Sequence, residues 1–282
     1  MLSYPLLLHL MLAFAVGSSW VTIVTIIAER VGTTVGGVLG GLPSTSAFTF
    51  FFIGVNQSPE AASQATTVFP LAFGFTCVFL LLYALFARKG FREALSLSLL
   101  AWFAFTLLTA VSGLADFTLA LVGGIAISLA VYFAFRVLSL RNLAGAKIHY
   151  TPLQLVERSI LAGALVFVSV LLSQVGGPIL GGISSAFPAV FTSTLYIVNR
   201  SRGSDFSRAI TKPLMLSGSL TIFPYSVAVR LLYPVLGIWL GTLISYGVVV
   251  PLAVLSYYII ARDGQKMKSA AAKIDSCSKK LV

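Results

Sequence analysis

The stretch Val35-Gly36-Gly37-Val38-Leu39-Gly40-Gly41-Leu42-Pro43-Ser44-Thr45-Ser46-Ala47-Phe48 returns, much altered, as Gly176-Gly177-Pro178-Ile179-Leu180-Gly181-Gly182-Ile183-Ser184-Ser185-Ala186-Phe187-Pro188. Aromatic and hydroxyl residues follow each copy, and each run ends on an asparagine, Asn56 and Asn199. Gly41 and Gly182 are 141 residues apart, Asn56 and Asn199 143, and the later prolines Pro70 and Pro213 also 143. A shared offset across three landmarks is the mark of an internal repeat. In both copies glycines four residues apart share a helix face, and a proline then interrupts the helix.

The surroundings say what solvent these helices face. The chain has 282 residues, of which 58% are hydrophobic and only 10% charged; its mean hydropathy is +0.98. Soluble domains carry roughly 25% charged residues, so this chain cannot cover a water-facing surface of its own size. Cys77 and Cys277 form neither a disulfide framework nor a metal cluster. Apolar runs long enough to cross a hydrocarbon core of about 30 Å fall near 4–28, 31–55, 61–87, 91–113, 117–139, 159–175, 177–199, 207–229 and 236–261. The first contains Ala13-Phe14-Ala15, which resembles a signal-peptidase site. It lacks a positive leader and stays apolar beyond that point, so it reads as a retained span.

The net charge of +11 fits this segmentation. With nine spans and the C-terminus inside, 18 of the 19 Lys and Arg residues fall on the cytoplasmic side and only Arg230 falls outside. The expected protein is therefore a multi-pass protein of the plasma (inner) membrane, N-terminus outside. A tenth span within 207–261 would reverse the N-terminus. The two glycine–proline motifs begin spans two and seven, and an odd separation makes the copies cross in opposite directions. The expected fold is all-α: about nine transmembrane helices in two inverted-topology repeats with broken Gly/Pro helices. Residues 1–139 form the first repeat, with span four an insertion. A cytoplasmic linker covers 140–158, the second repeat covers 159–261, and a basic cytoplasmic tail covers 262–282.

Inverted repeats that meet at broken helices place binding sites near the bilayer midplane. The substrate-binding candidates are Pro43, Ser44, Thr45 and Ser46 at the first break, and Ser184, Ser185 and Pro188 at the second. Asn56, Asn199 and Lys212 join them from the ends of the motifs. The hydroxyls also have a plain role, bonding back to carbonyls of their own helix, as the glycines have in helix packing. Lys212, beside Pro213, either meets an anionic group or anchors at the interface. No acidic or basic residue lies at the centre of a span, which argues against a proton pump or a carboxylate-based metal transporter. No catalytic motif is present, no metal-ligand set, and no call for a cofactor.

The string 36–46, the loop Asn56-Gln57-Ser58-Pro59-Glu60-Ala61-Ala62, Pro70 and the basic turn Arg88-Lys89 together resemble the small four-helix bacterial membrane proteins of the GlpM-like group. The resemblance covers about 15–113 and implies architecture, with no substrate. The expected function is a secondary transporter of a small polar or anionic solute, working by alternating access between the repeats. Membrane lipids, a small-molecule or ion substrate and a second copy of the chain are the expected partners, and nucleic acid is not. An ion channel, a lipid translocase and a non-transporting scaffold subunit are the rival readings.

Overall fold

The computed structural model of the protein describes residues 4–31, 42–138 and 151–278; the side chains of residues 28, 29, 31 and 263–278 lie outside that description. Among the described residues all regular structure is helical. Helix α1 (Tyr4–Val31) is followed by α2 (Ser44–Asn56), the short α3 (Pro59–Ala65), α4 (Phe69–Phe86), α5 (Phe91–Val111) and α6 (Phe117–Val137). Then come α7 (Pro152–Gly176), α8 (Pro178–Ser185), α9 (Ala189–Arg202), the short α10 (Ser204–Ala209) and α11 (Thr211–Ser278). Gly237, at φ 72° and ψ 179°, breaks α11 into two arms.

Local chemistry sets these boundaries. Ser58 and Asp116 cap α3 and α6 by accepting from the N–H groups of Ala61 and Leu119. Thr151 and Gln154 form a reciprocal capping box that starts α7 at Pro152. The helix thus begins within the expected linker, whose residues 152–158 make the first two turns of α7; residues 139–150 lie outside the described set. The backbone of the basic tail continues helical to Ser278.

Among the described residues seven helical stretches are long and apolar enough to cross a membrane: Tyr4–Ile27, Pro59–Phe86, Phe91–Val111, Phe117–Val137, Pro152–Gly176, Pro178–Arg202 and Ser204–Arg262. The last spans 59 residues and takes in two of the nine expected runs. The expected run 31–55 lies partly outside the described residues, with α2 as its described part. Side chains are distributed as lipid would have them. Leu108, Val111, Val137, Trp239 and Leu243 are more than two-thirds exposed. Ser98, Ser128, Ser169, Thr221, Ser245 and Ser256 are buried. Apolar groups point outward and hydroxyls inward, the arrangement of a multi-pass membrane protein.

Two helix pairs set the frame, and both are antiparallel. In α1 and α7, Thr22 bonds Ser159, Gly163 faces Ser18, and Gly17 meets Val166. Between α4 and the first arm of α11 the contacts run Cys77 to Ser219 and Phe73 to Phe223, and the flanking residues continue the series, Tyr83 of α4 to Ser207 of α10 and Thr67, just before α4, to Arg230. One number falls as the other rises. Basic groups mark one end of this bundle. Arg88 lies 3.6 Å from Asp205, Arg208 donates to the Ala84 carbonyl, and Lys212 sits over the Tyr132 ring. Arg230 is at the other end, against Thr67 and over the Phe117 ring.

Candidate functional site

The two proline breaks have the same backbone. Pro43 precedes α2 at φ −76°, ψ 54°, and Pro188 precedes α9 at φ −76°, ψ 43°. In each the N–H one residue on returns to the carbonyl one residue before, Ser44 to Leu42 and Ala189 to Phe187, both at 2.8 Å. This is an inverse γ-turn. Neither helix has a side-chain cap, so each presents first-turn N–H groups and the positive end of its dipole.

Helices α2 and α9 then run apart. They have 13 and 14 residues, about 20 Å each and about half the length of α1. Asn56, at the far end of α2, accepts from His9 Nδ1 at 2.6 Å, near the start of α1. The far end of α9 joins α10 beside Tyr83, at the basic end. Both N-termini therefore lie near mid-depth and border one space, and Ser46 Oγ of α2 donates at 3.3 Å to the carbonyl of Ser185, the last residue of α8 before the second break.

A cavity of about 80 Å³ occupies this meeting point, room for about two or three waters. Six sequence candidates line it: Pro43, Ser44, Thr45, Ser46, Ser185 and Pro188. Phe69, Phe73, Phe187 and Phe191 supply apolar wall. Gly218 leaves space for two of these rings, since a Cβ there would lie 2.7 Å from Phe73 and 3.3 Å from Phe191. Thr76 Oγ1 donates to the Ala186 carbonyl at 2.9 Å and accepts from Trp102 Nε1 at 3.0 Å. That threonine thereby satisfies a carbonyl freed at the second break.

Four candidates fall elsewhere. Ser184 bonds back to Gly181 O within α8 and is outside the cavity wall. Asn56 holds His9, and Asn199 Oδ1 accepts from Ser207 Oγ at 3.3 Å. Lys212 is buried against Tyr132, 5.7 Å from the ring centroid. Gly36, Gly37, Gly40 and Gly41 lie outside the described residues. Gly181 and Gly182 perform close packing, since Cβ atoms there would overlap Ser173 and the Ala65 carbonyl.

The residue that sequence reasoning missed is Arg158, placed in the linker and counted only for topology. It lines the cavity from α7, and its Nη1 donates to Thr194 Oγ1 at 2.6 Å, with Ser193 Oγ at 3.3 Å. The signal was available: the pattern Thr151-Pro152-Leu153-Gln154 is a helix start, which puts Arg158 nearly two turns inside.

Residues 10–112, from α1 to just beyond the end of α5, match a family described as a protein of unknown function, DUF3147. No curated protein and no solved structure matches the chain.

Proposed function

We propose that the chain is a secondary transporter for a small polar or anionic solute, built from two inverted repeats. The order long helix, half helix, short helix, long helix occurs as α1–α2–α3–α4 and, with the short α8 between its first two members, as α7–α9–α10–α11. Helices that correspond under the 141–143 offset pack antiparallel, α1 on α7 and α4 on the first arm of α11, as a pseudo-two-fold axis in the membrane plane requires. The ends are tied in the same reciprocal way. Ser63 of α3 bonds Arg230 near the end of the first arm of α11, and Ser207 of α10 bonds Tyr83 near the end of α4. Helix α5 has no counterpart and is the insertion that gives the copies opposite directions. The charge asymmetry supports nine spans with the C-terminus cytoplasmic.

One observation carries the reading: two uncapped half-helices, one from each repeat, point their N-termini into a single mid-depth cavity. A site divided between two bodies changes its access when one rocks against the other. The test is uptake by proteoliposomes of a panel of labelled organic acids, phosphate, amino acids and polyols. Saturable uptake of one class, slowed by Ser46→Ala and by Ser185→Ala at unchanged melting temperature, is expected. Currents that do not saturate would make it a channel, and movement of labelled phospholipid alone would make it a translocase. No movement of any of these would leave the scaffold reading.

A further inference from the structure

We infer that the cavity takes a small oxyanion and that Arg158 is the residue that selects its charge; the inference rests on the site described above and deepens the transport reading. Among the described cavity-lining residues Arg158 is the one with a formal charge, and none is a carboxylate. The remaining polar groups there are neutral hydroxyls, the first turns of α2 and α9 and the last turn of α8, whose Ser185 and Ala186 carbonyls already accept from Ser46 and Thr76. Each helix start acts as about half a positive charge and the end of α8 offsets part of this, so with Arg158 the wall is positive on balance. A neutral solute would leave that field uncompensated in an apolar surround, where charge is costly. An anion compensates it.

The arginine is also positioned. Thr194 and Ser193 hold Nη1 from α9, and Thr194 in turn donates to Val190 O at 2.7 Å. The planar guanidinium suits carboxylate, sulfonate and phosphate oxygens, which accept its N–H groups in a fork geometry that an ammonium does not match. The cavity volume of about 80 Å³, against about 150 Å³ for a cavity that holds benzene, confines the solute to a small head group. Arg158 and α9 both belong to the second repeat, whereas Thr45 and Ser46 belong to the first. An oxyanion therefore bridges the two bodies, and its release is linked to their separation.

The test compares methanesulfonate, inorganic phosphate and the neutral erythritol, by uptake in proteoliposomes and by intrinsic tryptophan emission of the detergent-purified chain. Trp102 packs at 5.3 Å on the cavity residue Phe187 and reports occupancy. The wild type should take up at least one of the two anions, at least tenfold faster than erythritol. Arg158→Gln should lower anion uptake tenfold or more without lowering the melting temperature, and Arg158→Lys should retain part of it. Phosphate or methanesulfonate alone would identify the head-group chemistry. Erythritol preferred by the wild type, or anion uptake unchanged in Arg158→Gln, would overturn the inference and leave transport standing. Anion-dependent emission lost in Arg158→Gln, with no uptake of anything, would keep the anion site and remove transport. Neither emission change nor uptake with either anion overturns the inference. Should Arg158→Gln fail to fold, Arg158→Lys decides: a several-fold rise in half-saturating anion concentration supports it, and no change overturns it.

Discussion

Ser63 and Arg230 bond each other twice. Ser63 Oγ donates to the Arg230 carbonyl at 2.9 Å, and Arg230 Nη1 donates to the Ser63 carbonyl at 3.0 Å. Pro234 lies inside α11 four residues after Arg230, and its ring nitrogen has no hydrogen to offer that carbonyl. Ser63 supplies the missing donor from α3. A helix kink in one half of the chain thus becomes a tie between halves.

This relationship predicts a coupled pair. Ser63→Ala leaves the Arg230 carbonyl without this donor and should cost about 1–3 kcal/mol. In a Pro234→Ala background the helix can make its own bond, and the same change should cost clearly less. Thermal or denaturant unfolding of the four proteins in detergent measures the coupling. Equal costs in both backgrounds would refute the compensation.

Glycine positions separate packing from permissiveness. A Cβ on Gly182 would overlap the Ala65 carbonyl, a backbone atom that cannot swing aside. Gly182→Ala should therefore destabilise by about 1–3 kcal/mol or more and lower the yield of folded protein. At Gly247 no atom lies within 4 Å of the added carbon, and Gly247→Ala should be neutral or stabilising by up to about 1 kcal/mol. Melting temperatures of the two variants are the check.

Thr76 joins three elements through one hydroxyl. Thr76→Val keeps the shape but removes the partner of Trp102 Nε1 and of the Ala186 carbonyl. Stability should fall by about 1–3 kcal/mol and tryptophan emission should shift, while Thr76→Ser should restore both. A silent valine variant would show that water replaces the hydroxyl.

The two ends of the bundle should label from opposite sides. Asp205 lies beside Arg88, and Asp116 caps the helix whose Phe117 lies under Arg230. Asp205→Cys and Asp116→Cys, each in a Cys77→Ser, Cys277→Ser background, should react with a membrane-impermeant maleimide from opposite faces of the membrane. The positive-inside bias predicts that Asp205→Cys labels from the cytoplasmic face. Labelling of both from one face would contradict the bundle.

Several features could be read directly along the chain. The apolar runs, the basic bias toward one side and the proline breaks at 43 and 188 all follow from local composition. Hydropathy is a property of consecutive residues, and proline breaks a helix through its own ring and missing N–H. Packing decided which residues meet. Ser185 faces the cavity while Ser184, its neighbour, does not, since successive helical side chains point about 100° apart and only the neighbouring helices say which direction is inward. Asn56, Asn199 and Lys212 proved to be engaged at helix ends with His9, Ser207 and Tyr132. Arg158 looked like a loop charge from its position after a polar segment, yet the fold carries α7 past α9 and brings the guanidinium to the cavity. Composition along the chain sets the solvent each helix meets; the convergence of two distant helix starts and an arginine depends on contacts between residues far apart in sequence, 139 positions for Ser46 and Ser185 and 36 for Arg158 and Thr194, for which hydropathy contains no term.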